Sequence, residues 1–267
     1  MIGVAGCGRM GAPMLAALRK AGFDARGFDV RRISDFDSAD SAICRDVDEF
    51  SQNLDTLITV VRDISQTDEV LFGTQNLISA KHLNRIIICS TLSPRYVKDL
   101  RSRISAHITL IDAPMSGAQI AAEERRLSFM LGGSDRDLDA AQPLFSAMGQ
   151  HFHRMGPYGS GMQAKVLNNL LAASNTAMTR LVLDWADEAG LDETALLDLI
   201  ATSSGQNWFA SGFDTIEFAR DGWDQDNTIG ILVKDVESAL DAAPDDADTS
   251  LPRQVQSAIR QLRPRRT

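Results

Sequence analysis

A glycine-rich turn near the amino terminus constrains the fold of this chain more than any other feature. The segment Gly6–Gly11 reads GCGRMG, a GxGxxG pattern that directly follows the apolar run Ile2–Ala5 and opens a helix-like stretch. A strand, a tight glycine turn and a helix in this order are the context in which the pattern indicates dinucleotide binding, because backbone N–H groups at the helix start can bind phosphate. The residues predicted to contact the cofactor here are Gly6, Gly8, Arg9, Met10 and Gly11.

A carboxylate follows at the position where the adenine ribose of a dinucleotide is recognised. Asp29 ends the predicted strand Ala25–Phe28 and lies 18 residues after Gly11. A carboxylate there accepts hydrogen bonds from the ribose hydroxyls and repels a 2′-phosphate, so Asp29 favours NAD. Arg31 and Arg32 follow closely and could instead bind such a phosphate, which keeps NADP as the alternative.

The two halves of the chain have different patterns. The first half alternates short apolar runs with helical stretches, which is typical of βαβ units carrying a parallel sheet. The predicted strands are Ile2–Ala5, Ala25–Phe28, Leu57–Val61, Ile86–Cys89, Ile108–Ile111, Ser128–Leu131 and His151–Arg154. The predicted helices of this half are Met10–Ala21, Ser65–Leu71, Pro94–Ile104, Ile120–Arg125 and Asp137–Met148.

The second half contains no further strand-like run. It predicts a helix over Ser160–Glu188, then helices over Glu193–Ser203, Asp214–Ala219, Ile229–Ala242 and Pro252–Leu262. The Gly/Pro turn Gly156–Gly159 marks the change. We therefore expect an α/β fold in which a Rossmann-type, doubly wound parallel sheet domain over 1–158 precedes an all-helical domain over 159–267.

The composition excludes several classes of partner. The chain is 44% apolar and 24% charged, as an ordinary soluble globular protein is, and its formal charge is −9. That charge argues against nucleic acid and anionic membranes. No apolar run approaches the roughly 20 residues of a membrane span, and no basic leader precedes the first strand, so we expect no export.

The cysteines and the basic ending carry little chemistry by themselves. Three cysteines show neither CxxC nor Cys/His spacing, so we expect no metal site, no disulfide framework and a reduced, cytoplasmic setting. Arg260, Arg263, Arg265 and Arg266 are predicted to form a solvated tail.

Six short segments form an ordered set of motifs. They are Gly6–Met14 (GCGRMGAPM), Ser90–Pro94 (STLSP), Asp112–Gly117 (DAPMSG), Gly159–Asn169 (GSGMQAKVLNN), Ser203–Trp208 (SSGQNW) and Lys234–Asp235. In this order they resemble the β-hydroxyacid dehydrogenase family, which includes 3-hydroxyisobutyrate dehydrogenase and carries a dinucleotide domain of the 6-phosphogluconate dehydrogenase type. The resemblance continues to Leu262 and so covers nearly the whole sequence.

The resemblance implies an oxidoreductase that transfers a hydride between NAD and a small 3-hydroxy acid. It implies that the helical domain serves substrate binding and assembly into a homodimer or homotetramer. The alternatives are an NADPH-dependent semialdehyde reductase, an imine reductase, which usually lacks the catalytic lysine, and an idle cofactor-binding module.

The resemblance also assigns roles to residues. Ser116 and Gly117 hold the substrate carboxylate, for which a Ser-Gly turn offers exposed donors. Lys165 is the general acid/base, and Asn169, four residues further along the same helix face, binds substrate. Lys234 lies near the nicotinamide and the substrate, and we expect it, together with burial, to lower the pKa of Lys165.

Three further cofactor contacts and several departures complete the resemblance. Val61, Arg62 and Thr91 are implied to lie along the cofactor. The chain departs from the family pattern where Ala118 replaces a second glycine, where Glu124–Arg126 replaces a Gly-containing loop, and where Arg62 replaces a proline. Ile229 or Ile231 replaces a common aromatic residue. Because of these departures, we expect the substrate-facing loop to differ from that of the family. They therefore leave the identity of the acid open more than the type of reaction.

Overall fold

The computed structural model describes residues 1–31 and 42–265. Arg32 and Arg266, which the sequence analysis singled out, lie outside these ranges. The chain forms two compact units, Met1–Lys165 and Val166–Thr267, and one long helix runs from the first into the second. No helix in the described ranges has the length and apolar character needed to cross a bilayer.

In the part of the amino-terminal unit that the structure describes, the strands form a nine-stranded sheet. Its strands are β1 (Ile2–Ala5), β2 (Ala25–Phe28), β3 (Ile43–Cys44), β4 (Thr56–Thr59), β5 (Arg85–Ile88), β6 (Thr109–Asp112), β7 (Met115–Ser116), β8 (Leu127–Gly132) and β9 (Gly149–Gly156). Its helices are α1 (Gly11–Lys20), α2 (Val47–Ser51), α3 (Ile64–Leu71), α4 (Pro94–Arg103), α5 (Gln119–Glu123) and α6 (Asp135–Met148), with a 3-10 turn at Leu77–Ser79.

The strand order confirms the predicted fold class. The path β3-β2-β1-β4-β5-β6 is parallel throughout, which is the Rossmann order. Beyond β6 the sheet becomes mixed, because β8 runs antiparallel to β6 and to β7, whereas β9 is parallel to β8. The sequence analysis did not predict this reversal, since the short connection from β6 through β7 to β8 carries no pattern that distinguishes the two directions.

Burial on both faces explains why the central strands read as continuous apolar runs. In β5, Ile86 and Ile88 pack with α3 and α4 on one face, while Ile87 packs with α1 and α6 on the other. Successive side chains of a strand point to opposite faces, so a sheet covered by helices on both sides needs apolar residues at every position.

All seven predicted strands and the five predicted helices of this unit are confirmed, with ends shifted by at most two residues. The sequence analysis missed β3, β7, α2 and the 3-10 turn. Each of these spans five residues or fewer, which is too short for a periodic pattern.

The second unit contains the remainder of α7 (Ser160–Glu188), followed by α8 (Glu193–Ala201), α9 (Trp208–Ser211), α10 (Thr228–Asp241) and α11 (Ser250–Ile259). The predicted helix over Asp214–Ala219 is wrong, because this segment consists of turns. The buried guanidinium of Arg180 donates to the carbonyls of Ala219 and Asp221, each at 2.8 Å, where this run of turns ends. The helix lies earlier, at α9, where Asn207 caps the N–H groups of Phe209 and Ala210.

The prediction of a solvated basic tail is wrong for Arg265. Its side chain is only 7% exposed and pairs with Asp184, Asp187 and Glu193. Arg260 and Arg263 are exposed, as predicted, and Arg260 pairs with Glu237 at the surface. The acidic partners come from distant parts of the sequence, so the local composition of the tail could not reveal them.

Candidate active site

The glycine turn is tightly packed at Gly6 and Gly11 and has free space beside Gly8. Gly6 has φ of +94°, and a Cβ atom there would lie 2.7 Å from the carbonyl oxygen of Val60. A Cβ atom on Gly11 would lie 1.9 Å from the carbonyl oxygen of Gly6, so only glycine lets α1 start this close to the turn. A Cβ atom on Gly8 would meet nothing nearer than the Arg31 guanidinium, at 3.9 Å. The free side at Gly8 fits a pyrophosphate lying against the backbone.

Asp29 lies beside this turn and accepts several hydrogen bonds. It is 9% exposed and accepts hydrogen bonds from the backbone N–H of Cys7 at 2.9 Å and from that of Arg31 at 2.9 Å. The Arg31 guanidinium donates to both oxygens of the same carboxylate, and it also donates to the Cys7 carbonyl at 3.0 Å. Burial acts to raise the pKa of Asp29, but the bonds from Arg31 and Cys7 outweigh it and hold the pKa below its ordinary value.

The loops after β4 and β5 meet beside Gly6. The Val61 N–H donates to Ser90 Oγ at 2.9 Å, and the Val61 side chain lies 3.0 Å from an ideal Cβ on Gly6. Thr91 is half-buried next to Ser90, and Arg62 is exposed. The structure therefore brings Val61 and Ser90 to the glycine turn, at the carboxyl ends of parallel strands where α/β proteins bind ligands.

The predicted carboxylate-binding turn follows β6. Ser116 ends β7, opposite Ser128 of β8, and is half-buried. Gly117 has φ of +133°, and a Cβ atom there would lie 2.8 Å from Ala121. The turn therefore requires glycine for both its backbone conformation and its packing. In the loop Glu124–Arg126, which replaces a Gly-containing loop of the family, Arg125 adopts φ of 58°, a conformation that favours glycine.

Lys165 lies on the second turn of α7 and is 7% exposed. The start of that helix is fixed by Asp112, which is fully buried and accepts N–H groups of Gly159 and Met162, each at 2.6 Å. Burial raises the pKa of the Asp112 carboxyl above its ordinary value, although these N–H bonds oppose the rise.

In the second unit, the predicted substrate residue Asn169 has a defined partner. Its Nδ2 donates to Asp235 Oδ2 at 2.7 Å, and both residues are buried. Since a carboxylate only accepts, the bond determines which end of the Asn169 amide faces Asp235. Lys234, next to Asp235 on α10, is half-buried.

Three polar residues of these arrangements were not predicted from the sequence: Ser90, Asp112 and Asp235. All three lie within the sequence motifs given above, and Asp112 directly follows a predicted strand. Their burial was the missing information, because only packing distinguishes a buried partner from a solvated one. Among the described residues, no group of three or more His, Cys, Asp or Glu side chains could hold a metal ion.

Two family models match the chain. A model described as the NAD binding domain of 6-phosphogluconate dehydrogenase matches residues 1–156. A second, described as NAD-binding of NADP-dependent 3-hydroxyisobutyrate dehydrogenase, matches residues 159–264. Together they cover both halves of the chain in the order that the motifs predicted.

Individual relatives agree with the models. L-Threonate dehydrogenase of Cupriavidus necator is 28% identical over 91% of this chain and 83% of its own length. NAD-dependent L-serine dehydrogenase of Pseudomonas aeruginosa is 30% identical over 76% of this chain and 70% of its own. The solved structure of Mycobacterium tuberculosis 3-hydroxyisobutyrate dehydrogenase with L-serine is 26% identical, covers 96% of this chain and 91% of its own, and has a TM-score of 0.80.

Proposed function

Because the chain belongs to the NAD(P)-dependent 3-hydroxyacid dehydrogenase family, which acts on CH–OH groups, we propose that it oxidises a small 3-hydroxy acid of the 3-hydroxyisobutyrate type, with Lys165 as the general acid/base. The burial of Lys165 carries this proposal. Lysine is almost never buried this deeply unless it is paired, so Lys165 is an unusual position for a lysine. The resemblance of Gly159–Asn169 to the family motif assigns this lysine the functional role.

The proposed chemistry needs one proton transfer by the protein. The nicotinamide, when bound, accepts or supplies the hydride. In the oxidation, neutral Lys165 takes the proton from the substrate hydroxyl, and in the reduction the ammonium returns it to the developing alkoxide. Burial disfavours the charged form of an amine, which suits a lysine that must act as a base.

The substrate carboxylate is proposed to bind at Ser116 and Gly117. The Ser116 hydroxyl and the backbone N–H groups of the glycine turn are donors that a carboxylate accepts as charge-assisted hydrogen bonds. Asn169 follows Lys165 by four residues on α7 and is proposed to bind the same substrate, with Lys234 as a further contact to substrate and cofactor. The bond to Asp235 supports this role, because it leaves Asn169 a second N–H to donate.

The substrate class rests on what the relatives share. L-Threonate, L-serine and 3-hydroxyisobutyrate are small acids that carry a hydroxyl near a carboxylate. Arg31 favours one alternative, an NADPH-dependent semialdehyde reductase, because its guanidinium lies beside Asp29 and could bind a 2′-phosphate. NAD is proposed as the main cofactor on the strength of Asp29.

A substrate panel tests the proposal. The purified chain is assayed with 3-hydroxyisobutyrate, L-serine, L-threonate and the corresponding semialdehydes, each with NAD(H) and NADP(H). We expect turnover of at least one 3-hydroxy acid with NAD. Turnover of semialdehydes with NADPH alone would select the alternative, and no turnover with any pair would contradict both.

Three further expectations remain proposals. The division into a dinucleotide domain over 1–158 and a helical substrate domain over 159–267 is supported by the ends of the two family models. A homo-oligomer, a homodimer or homotetramer, is supported by large apolar side chains that α7 exposes at helical spacing, namely Leu167, Leu171, Met178, Leu181 and Trp185. A cytoplasmic location is supported by three free, buried cysteines.

A further inference from the structure

The first turn of α7 is held by a carboxylate that the proposed chemistry does not use. Asp112 is the last residue of β6 and is 0% exposed. Its Oδ1 accepts the N–H of Gly159 and its Oδ2 accepts the N–H of Met162. N–H groups at a helix start have no partner within the helix, so one side chain satisfies two of them and also opposes the positive end of the helix dipole.

The helix meets the sheet here without room for any side chain. A Cβ atom on Gly161 would lie 2.3 Å from the Met130 carbonyl oxygen and 3.0 Å from Asp112 Oδ2. A Cβ atom on Gly132 would lie 2.1 Å from Asp112 Oδ1 and 2.8 Å from the N atom of Gly161. Closely packed interiors are hardly compressible, so this contact between β6, β8 and α7 resists a shift of the helix start.

Asp112 links two parts of the proposed site in the amino-terminal unit, the carboxylate-binding turn and Lys165. Its backbone leads directly into the turn that carries Ser116 and Gly117. Its side chain holds Met162, and Lys165 follows Met162 by three residues, or roughly 4.5 Å along the helix axis. A shift of the helix start therefore moves the Lys165 amine relative to Ser116.

We propose that Asp112 is a positioning residue, which sets the distance between the Lys165 amine and the carboxylate-binding turn by fixing the start of α7. The inference rests on the proposed role of Lys165. A misplacement of about 1 Å can cost on the order of 100-fold in rate, so the effect falls on the chemical step. Binding of the dinucleotide at the glycine turn does not depend on this contact.

Two variants test the proposal, because each keeps a polar side chain at the helix start. Asp112→Asn replaces one acceptor by an N–H₂ group that faces another donor, and Asp112→Ser keeps one short acceptor. Asp46→Asn is the matched control, since Asp46 caps α2 by accepting the N–H groups of Asp48 and Glu49. The measurements are kcat, the Kd for NADH by fluorescence, and backbone hydrogen exchange of the segment 159–165.

We expect kcat of both Asp112 variants to fall by about 10- to 100-fold, the Kd for NADH to change less than about twofold, and exchange to become faster at the start of α7. The control keeps its kcat. An unchanged kcat together with faster exchange would overturn the proposal, as would a rise in the Kd that matches the loss of kcat. If neither variant folds, Asp112 serves the fold as a whole and the proposal is equally overturned.

Lys165→Met, measured in parallel, separates this inference from the proposed function. If Lys165→Met keeps its turnover, the proposed function fails. If Lys165→Met is inactive while both Asp112 variants keep the wild-type kcat, the role of Asp112 alone fails.

Discussion

The carboxylate of Asp29 and the guanidinium of Arg31 form a two-point pair at the carboxyl end of β2, with Nε to Oδ1 and Nη2 to Oδ2 both at 3.0 Å. Arg31 thus donates to both oxygens of the carboxylate that is proposed to accept the ribose hydroxyls of NAD. It also places a cation beside the position proposed for a 2′-phosphate. We therefore propose that the two residues together govern the choice between NAD and NADP.

Arg31→Ala is predicted to weaken NADPH binding more than NADH binding. A hydrogen bond to a charged group contributes about 1.5–3 kcal/mol, so the Kd for NADPH is expected to rise about 10- to 100-fold. The Kd for NADH should change little, because Asp29 becomes free to accept the ribose. Fluorescence titration measures both constants. Arg26→Ala is the control, since Arg26 pairs with Glu49 instead, and an equal loss for the two cofactors would refute the assignment.

Gly8→Ala is predicted to weaken cofactor binding, whereas Gly11→Ala is predicted to lower the stability of the fold. A methyl group at Gly8 would meet only the Arg31 guanidinium, at an unstrained 3.9 Å, so Gly8→Ala should keep its melting temperature and lose affinity for NADH by about tenfold or more. A methyl group at Gly11 collides with the Gly6 carbonyl, so Gly11→Ala should unfold at a clearly lower temperature. Thermal unfolding with and without NADH distinguishes the two. Equal stability losses would show that Gly8 has a packing role.

Ser116→Ala is predicted to raise the KM for the hydroxy acid while leaving the Kd for NADH unchanged. Loss of one hydrogen bond to a carboxylate corresponds to roughly a tenfold change or more. Steady-state kinetics at saturating cofactor gives the KM. Ser102→Ala, on the exposed side of α4, serves as the control, and a Ser116→Ala variant with the wild-type KM would remove this residue from the site.

The pairing of Glu193 with Arg220 and Arg265 predicts a loss of stability in acid. Burial acts to raise the pKa of Glu193, but hydrogen bonds from Arg220 and Arg265 outweigh it, so the pKa lies below its ordinary value of 4.5. A carboxyl with a lowered pKa stabilises the fold above its ordinary pKa, and this contribution is lost as the pH falls from about 4.5 through the lower folded value.

Glu193→Gln should therefore be less stable than the wild type at neutral pH, by about 2 kcal/mol. The difference should shrink as the pH falls through that range. Urea unfolding across the pH series measures it, with Glu217→Gln on the exposed surface as the control. A difference that stays constant down to the lowest pH would contradict the pairing.

The sequence was sufficient to predict the fold class and most elements, because they depend on local patterns. The apolar run from Ile86 to Ile88 predicts a strand, and the glycine turn predicts a strand-to-helix connection. Features that depend on distant partners were not predictable. The antiparallel pairing of β8 with β6 and the buried side chain of Arg265 arise from contacts between segments far apart in sequence, and no local pattern distinguishes the turns of Asp214–Ala219 from a helix.

The candidate site shows the same division. The residues that carry the motifs could be named from sequence, and their roles stay predictions. The side chains that hold them could not be named, because Asp112 and Asp235 are distinguished from surface aspartates only by their burial and partners.

Lys165→Met tests the central claim most directly. The variant keeps the length of the side chain and removes its amine, and Lys20→Met on the exposed side of α1 is the control. With a substrate identified in the panel, a rapid-mixing measurement of hydride transfer should show a rate about 10²- to 10⁴-fold below the wild type, the range that general acid/base catalysis supplies, with an unchanged Kd for NADH. A Lys165→Met variant that transfers hydride within about threefold of the wild-type rate would contradict the account.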